Sequence, residues 1–159
     1  MNEPILLKVD GEVSQPVQLT FADLAALAGE HQILDVSRID PKRQGDAIKL
    51  SGLLQLVQPR TEAKYLGLHA ATDNFHASIP LDAIRDRAFL IYRLNGLPLP
   101  LKAGGPVRFY IPDFAACHSA EIDECANVKF VDHIELTVNQ GFDNRPHDAQ
   151  EHAALHEKE

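Results

Sequence analysis

The stretch from Asn95 to Pro112, NGLPLPLKAGGPVRFYIP, leaves this chain the fewest choices. Its prolines rule out a helix across it. Neither Pro98 nor Pro100 can donate to a sheet ladder, so Leu97 to Leu101 must be extended at an edge or in a loop. Asn95-Gly96 tolerates positive φ and predicts a tight turn. Gly104-Gly105-Pro106 predicts a second turn, two permissive residues followed by a fixed φ. Val107 to Ile111 alternates into a short strand that Pro112 ends. Arg108 stands just past the glycine-rich bend. Such a bend lets backbone N–H groups and a guanidinium converge on a phosphate or carboxylate. A hairpin carrying a solvated arginine is the plainer reading, and residue types alone favour it.

The rest of the chain reads as short elements. Ile5 to Val9 is a strand turning at Asp10-Gly11, and Val13 to Leu19 is an edge or irregular strand because it holds Pro16. Thr20 with Asp23 three residues on predicts a capped helix, with Phe21, Leu24, Ala25, Leu27 and Ala28 at helical spacing. Gln32 to Ile39 reads as a strand, Asp40 to Gly45 as a polar loop, and Ile48 to Val57 as a buried helix stopped before Pro59. Ala63 to His69 and Phe75 to Ile79 pair across a turn at Thr72 to Asn74. Pro80 to Asp86 is a short helix, and Ala88 to Leu94 a continuous apolar core strand. Phe114 to Asn127 is a loop, and Val128 to Val138 is the last strand. Residues 1–140 form one domain without internal repeats, and 141–159 a polar, histidine-containing tail, frayed or weakly helical. Helices and strands do not alternate strictly. The pattern therefore predicts an α+β fold with about three short helices and mixed or barrel-like sheets.

A length of 159 residues suits one domain. The net charge of −8 argues against non-specific nucleic-acid binding or docking on anionic lipid, while leaving room for a small anionic ligand in a local basic pocket. No apolar run approaches the ~20 residues of a membrane span. The N-terminus lacks a basic segment followed by an apolar one. The expectation is a cytoplasmic protein with neither nucleic-acid nor membrane partner.

Four ordered segments carry a resemblance. Gly11, Val13, Pro16, Leu19, Thr20, Asp23 and Leu24 approximate G-x-V-x-x-P-x-x-L-T-x-x-D-L. Asp73, Phe75, Ser78, Pro80 and Leu81 match D-x-F-x-x-S-x-P-L. Asn95 to Pro100 with Gly104 to Arg108 match N-G-x-P-L-P and G-G-P-V-R. Val128 to Leu136 match V-K-W-V-x-x-I-E-L, with Phe130 for the tryptophan. Together, from about Leu6 to Val138, the chain resembles the oxidoreductase molybdopterin-binding domain, the fold of sulfite oxidase and its bacterial relatives.

The resemblance implies a pterin cofactor, molybdopterin, with a redox protein as a further partner. It places Arg108 and Lys129 at positions that hold the pterin and its phosphate, beside Gly105 in the bend. A planar fork and a point charge would together neutralise such a group. The family's metal-ligating cysteine belongs on the strand after the first helix, where this chain has Asp35. A carboxylate is a hard donor and cannot give molybdenum the ligand field of a soft thiolate. Ala103 replaces a histidine often found before the bend, and the tryptophan of a W-x-G-V segment is replaced around Gly45. The resemblance thus implies a divergent member binding a pterin or other anionic ligand without sulfite-oxidase-type turnover. An active molybdenum-dependent oxidoreductase is the alternative.

Both cysteines, Cys117 and Cys125, lie in one loop with His118. These could bind zinc or another transition metal, with Asp113, Glu121, Asp123 or His133 completing the shell. The spacing is looser than a standard zinc module's. A disulfide, a thiol activated near Lys129, and two plain space-filling thiols remain open. If the metal reading holds, the protein is an interaction or scaffold protein. His69 and His76 flank the Thr72–Asn74 turn and could face each other, either as metal ligands or as half-buried sheet residues. His147, His152 and His156 read as part of a solvated tail. No Ser-His-Asp arrangement, Walker-type loop or paired-carboxylate motif points to a hydrolase or kinase.

Overall fold

A computed structural model of the chain describes residues 3–112, 122 and 126–145. In it, the Asn95-Gly96 turn joins strand β7 (Phe89–Leu94) to the two-residue β8 (Leu97–Pro98), with Leu94 opposite Leu97. Both turn residues have positive φ, 54° and 79°, which the flanking strand twist requires. After a 3-10 turn at Leu101–Ala103 and the glycine bend, the chain returns as β9 (Arg108–Tyr110). This strand lies antiparallel to β7, with Ile91 opposite Arg108. Two glycines make that return possible. Gly104 has φ 103°, and a Cβ on Gly105 would stand 1.9 Å from the Leu99 carbonyl oxygen.

Strand β7 also pairs with β4 (Asp46–Lys49), and β4 with β3 (Gln32–Ile33), giving the order β3-β4-β7-β8 with β9 also on β7. The second sheet runs β2 (Val17–Thr20), β1 (Ile5–Gly11), β10 (His133–Thr137), β5 (Tyr65–Ala70) and β6 (Phe75–Pro80). Only its β1–β10 pair is parallel. Three short helices join the strands: α1 (Phe21–Ala25), α2 (Leu50–Val57) and α3 (Leu81–Ile84). This is an α+β fold with mixed sheets.

The alternation of β7 explains why it reads as uniformly apolar. Leu90 and Tyr92 enter the main core with Leu7, Leu24, Ile48, Leu53, Leu68 and Ile134. Phe89 and Ile91 point the other way, into a smaller cluster with Val36, Ala47, Leu99 and Tyr110. Each face of the strand therefore removes its own set of side chains from water, at roughly 1.5–3 kcal/mol for each large apolar residue.

Several boundaries differ from expectation. The capping box at Thr20 and Asp23 forms in both directions, at 2.9 and 3.1 Å, but α1 ends by Ala26. The strand expected over Gln32 to Ile39 stops at Ile33. Asp35 takes φ 61°, and its carboxylate accepts from the N–H of Ser37, starting a 3-10 turn at Val36–Arg38. A local side-chain bond has here replaced the ladder. Ile48 belongs to β4, opposite Leu90, so α2 begins only at Leu50. Its end is as expected: Gln58 adopts a left-handed conformation before Pro59.

The last strand is split. Phe130 has φ 62°, and residues 128–131 bond to the glycine bend through Phe109 N to Val128 O at 2.9 Å, Phe130 N to Gly104 O at 2.9 Å and Val131 N to Val107 O at 2.8 Å. Only His133–Thr137 joins the other sheet. The start of the polar C-terminal stretch is tied down on β6. Gly141 N donates to Ser78 Oγ at 2.9 Å, Ser78 N to Asp143 at 2.9 Å and Asn144 N to His76 O at 2.9 Å. A buried Arg145–Asp143 ion pair of 2.7 Å holds this segment.

Candidate functional site

Arg108 is the first residue of β9, and its side chain is fixed before it reaches any ligand. Its stem packs over Gly104: a Cβ there would meet Arg108 Cδ at 3.1 Å and Lys129 Cγ at 3.3 Å. The absence of that Cβ brings the two cationic stems together. Arg108 then enters a cavity of about 170 Å³ lined by Lys42, Arg43, Gln44, Ile91, Leu94 and Ala103. Its Nη1 makes one long bond, 3.4 Å, to the Ala103 carbonyl. Its Nε is buried without a hydrogen-bond partner.

The Nε of Arg43 is buried and unpartnered as well. Burial, and then the neighbouring charge of Arg43, push the Arg108 pKa below its ordinary value. Three cationic side chains thus share one small space in a chain of net charge −8. The Asp40 carboxylate of the 40–45 loop offsets part of the charge of Lys42 and Arg43, but the like charges still repel, and buried donors without acceptors cost about 1–3 kcal/mol each. An anion with several acceptor oxygens would relieve both costs.

The polar loop Asp40 to Gly45 supplies Lys42 and Arg43, and Tyr110 of β9 anchors it. The Tyr110 hydroxyl donates a hydrogen bond to Asp40, and the Arg43 guanidinium lies 5.1 Å from the centre of the Tyr110 ring. Burial and the Asp40 carboxylate raise the Tyr110 pKa, while the bond from Tyr110 holds the Asp40 carboxyl below the usual range. Reading 40–45 as a polar loop found its conformation and missed its chemistry. The signal was present: two adjacent cations in an acidic chain.

Gln44 and Leu94 also line a second, wider space of about 510 Å³, bounded by Asp35, Ser37, Gly45, Asp46 and Asn95. This wall is rich in acceptors. Asp35 accepts from both the N–H and the hydroxyl of Ser37, which with Arg38 hold its carboxyl below the usual range. The Asp35 N–H donates to Asp46 at 2.8 Å, and Asp46 pairs with Arg93 at 2.9 Å. The structure therefore brings Asp35 to the space beside the Arg108 cavity, on a turn rather than a strand.

Of the other expected residues, Lys129 flanks the cavity without lining it. Its stem lies beside that of Arg108, and its Nζ is 5.7 Å from the centre of the Phe130 ring. Gly105 serves the bend itself: its N–H is committed to the Pro100 carbonyl at 3.0 Å. Cys117, His118 and Cys125, with Asp113, Glu121 and Asp123, lie outside the described residues, as do His147, His152 and His156. His133 points its Nε2 at Asp10, 2.7 Å away. His69 and His76 do face each other across the β5–β6 pair. Among the described residues, no group of three or more His, Cys, Asp or Glu side chains is arranged to hold a metal. Nor is any helix among them long and apolar enough to cross a membrane.

The pterin-type cofactor can be tested against these residues. Its anionic end fits in charge, because Lys42, Arg43 and Arg108 line one cavity and both arginines have a donor without an acceptor. A thiolate-held metal finds no thiolate at Asp35, which offers a hard oxygen already engaged by Ser37.

Comparison with known proteins agrees with the fold and the motifs. The solved sulfane dehydrogenase SoxCD of Paracoccus pantotrophus superposes with a TM-score of 0.61 at 20% identity, over 86% of this chain and 39% of that one. That likeness is one of fold. YuiH of Bacillus subtilis, described as an uncharacterized oxidoreductase, is 30% identical over 122 residues, covering 72% of this chain and 60% of that protein. The chain thus spans less than two thirds of either protein's length. The family model for the oxidoreductase molybdopterin binding domain matches residues 46–143, more than half of the chain and the part that carries both Arg108 and the second sheet's central strands. The chain belongs to the oxidoreductase molybdopterin binding domain family.

Proposed function

We propose that the chain binds a pterin cofactor or another phosphate-bearing anion in the Arg43–Arg108 cavity, and that it does so without sulfite-oxidase-type turnover. One observation supports the binding half: Arg43 and Arg108, each with a buried Nε that lacks a partner, line a single cavity together with Lys42. Arg108 supplies the planar fork, Arg43 a second one from the opposing loop, and Lys42 a point charge. Lys129 adds its field from the flank. The neighbouring Asp35 side of the site would take the rest of the ligand, where acceptors favour a donor-bearing edge. Molybdopterin, when bound, supplies a metal-binding redox centre. Asp35 is the reason for proposing that this chemistry is not supported here, since a carboxylate does not replace a soft, electron-donating thiolate.

The test is the pterin and molybdenum content of untagged protein from cells supplied with molybdate. Pterin near one per chain with little molybdenum is expected. Arg108→Ala should lose the pterin while its circular dichroism is unchanged. Equal pterin in that variant would defeat the binding half. Molybdenum near one atom per chain in the unsubstituted protein would defeat the other. Asp35→Cys sharpens the second point, and should raise molybdenum per pterin.

A further inference from the structure

An apolar rim flanks the two adjoining spaces, and ligand binding inside them leaves it unused. Gln44 and Leu94 line both spaces, so the two meet at one end of the sheet of β3, β4, β7, β8 and β9. Leu34 precedes Asp35, a wall of the wider space, and is 63% exposed. Leu97 stands opposite Leu94 and is 66% exposed. Ile39 lies two residues before Pro41 of the wider space, and Leu101 two before Ala103 of the narrower one; they are 48% and 58% exposed.

Local structure keeps these four side chains in water. The left-handed Asp35 breaks the alternation of β3, so Leu34 is carried out on the turn. In the 3-10 turn that follows, Val36 takes the buried place and Ile39 is left outside. Leu97 belongs to the two-residue β8, which Pro98 ends. Leu101 opens the next 3-10 turn, while Leu99 before it fills the smaller cluster. A lone surface leucine is ordinary, but four large apolar side chains around one site mark a contact face.

Charge decides what kind of surface fits. Four exposed cations stand at the same end. Arg38 is 4.0 Å from Asp35, Lys42 lines the narrower cavity, Lys102 is the neighbour of Ala103, and the Lys129 stem lies beside that of Arg108. The carboxylates here are engaged: Asp35 by Ser37, Asp40 by Tyr110 and Asp46 by Arg93. Among the described residues this end is therefore net cationic, in a chain of net charge −8. A second copy meeting it face to face would bring the same cations. An anionic membrane would repel the rest of so acidic a chain. The other sheet has no such surplus: the ring nitrogens of its histidine row, His133, His69 and His76 on β10, β5 and β6, meet Asp10, Glu135, Asn74 and one another.

We infer that this rim is the docking face for a partner protein whose own contact surface has an apolar centre flanked by carboxylates. Leu34, Ile39, Leu97 and Leu101 meet the apolar centre, and Arg38, Lys42, Lys102 and Lys129 meet the carboxylates. The exposed charges steer the encounter and are screened by salt, whereas the desolvated leucines supply the hold. A partner seated there covers both spaces, whichever anion the narrower one contains.

The probe is a pair of synthetic amphipathic helical peptides with the same leucine face, flanked by glutamates in one and by lysines in the other. Methyl NMR on the unsubstituted full-length protein follows Leu34, Ile39, Leu97 and Leu101. The glutamate peptide should shift these four together, less so as salt is raised, and the lysine peptide should leave them in place. Leu97→Ser with Leu101→Ser should weaken the glutamate peptide roughly 10-fold, and Lys102→Glu should flatten its salt dependence. Neither leucine lines a cavity, so the result stands apart from the ligand question. Equal shifts with both peptides, or with neither, would overturn the inference. So would methyl shifts that grow with protein concentration alone, since a second copy would then cover the face. A response to phosphatidylserine vesicles without one to the glutamate peptide would overturn it in favour of a membrane.

Discussion

Two regions of this protein gather titratable side chains, and they differ in how well their polar atoms are matched. In the Arg43–Arg108 cavity there is a surplus of donors: two buried guanidinium nitrogens that no acceptor meets. In the histidine row the ring nitrogens have partners: His69 and His76 meet each other at 2.8 Å, and Glu135 and Asn74 beyond. The first calls for an anion, and the second is satisfied within the protein. They are also built differently. Arg108 opposes the 40–45 loop, which is held by the Tyr110–Asp40 bond, by the Arg43–Tyr110 contact and by backbone bonds to Val36 at its two ends. His69 and His76 sit in register on paired strands, where backbone ladders set their spacing. A site whose two walls come from different elements depends on side-chain contacts between them, whereas one built within a sheet inherits its geometry from the backbone.

That contrast can be tested, beginning with the largest expected effect. Arg145→Ala strips the partner from the Asp143 carboxylate, which is buried beneath the segment lying against His76. An uncompensated buried charge should cost about 3–5 kcal/mol of stability in urea unfolding. The histidine row should be disturbed while Arg108 still binds its anion; loss of both together would join the two regions. Arg108→Ala should weaken binding of a phosphate-bearing ligand by about 2–5 kcal/mol in calorimetry, leaving the ring NMR signals of His69 and His76 unchanged. Tyr110→Phe should weaken the same anion roughly 5-fold, the scale of one net hydrogen bond, by releasing the loop that carries Arg43. An unchanged affinity would mean that the loop is held by other contacts.

The smallest effect concerns pH. Burial raises the Asp143 pKa, but hydrogen bonds from Arg145 and Ser78 outweigh it and leave it below the ordinary carboxylate value. The unfolded chain then binds that proton more readily than the folded one. The contribution is complete above about pH 3.9 and is lost as pH falls through the lower folded value. Urea midpoints of the unsubstituted protein and of Asp143→Asn should therefore converge in acid and differ at neutral pH.

Much of this was legible in the residues. Asn95-Gly96 specified its turn, because few pairs accept two positive φ angles. Thr20 and Asp23 specified a helix start through bonds made within four residues. The ordered motifs around Pro16, Ser78, Arg108 and Lys129 pointed to the family that the comparison assigns. Less visible were features in which a local pattern meets a distant strand. Ile48 follows helical spacing with Leu53 and Leu56, yet pairing with Leu90 draws it into β4. Phe130 breaks an alternating run because residues 128–131 bond to the glycine bend instead of continuing the sheet.

The candidate site divides in the same way. The sequence by itself determined Arg108 beside a bend that only glycine can make, since a Cβ at Gly105 would collide with Leu99. It also determined the carboxylate at position 35, because that is a matter of chemical identity. Tertiary structure decided that Arg43, far from Arg108 along the chain, shares its cavity, and that His133, His69 and His76 line up across three strands. Turn conformations and donor types follow from neighbouring atoms. Which charges face one another depends on strand register and on the folding of one sheet's loop against another strand, and those follow from burying both faces of β7 at once.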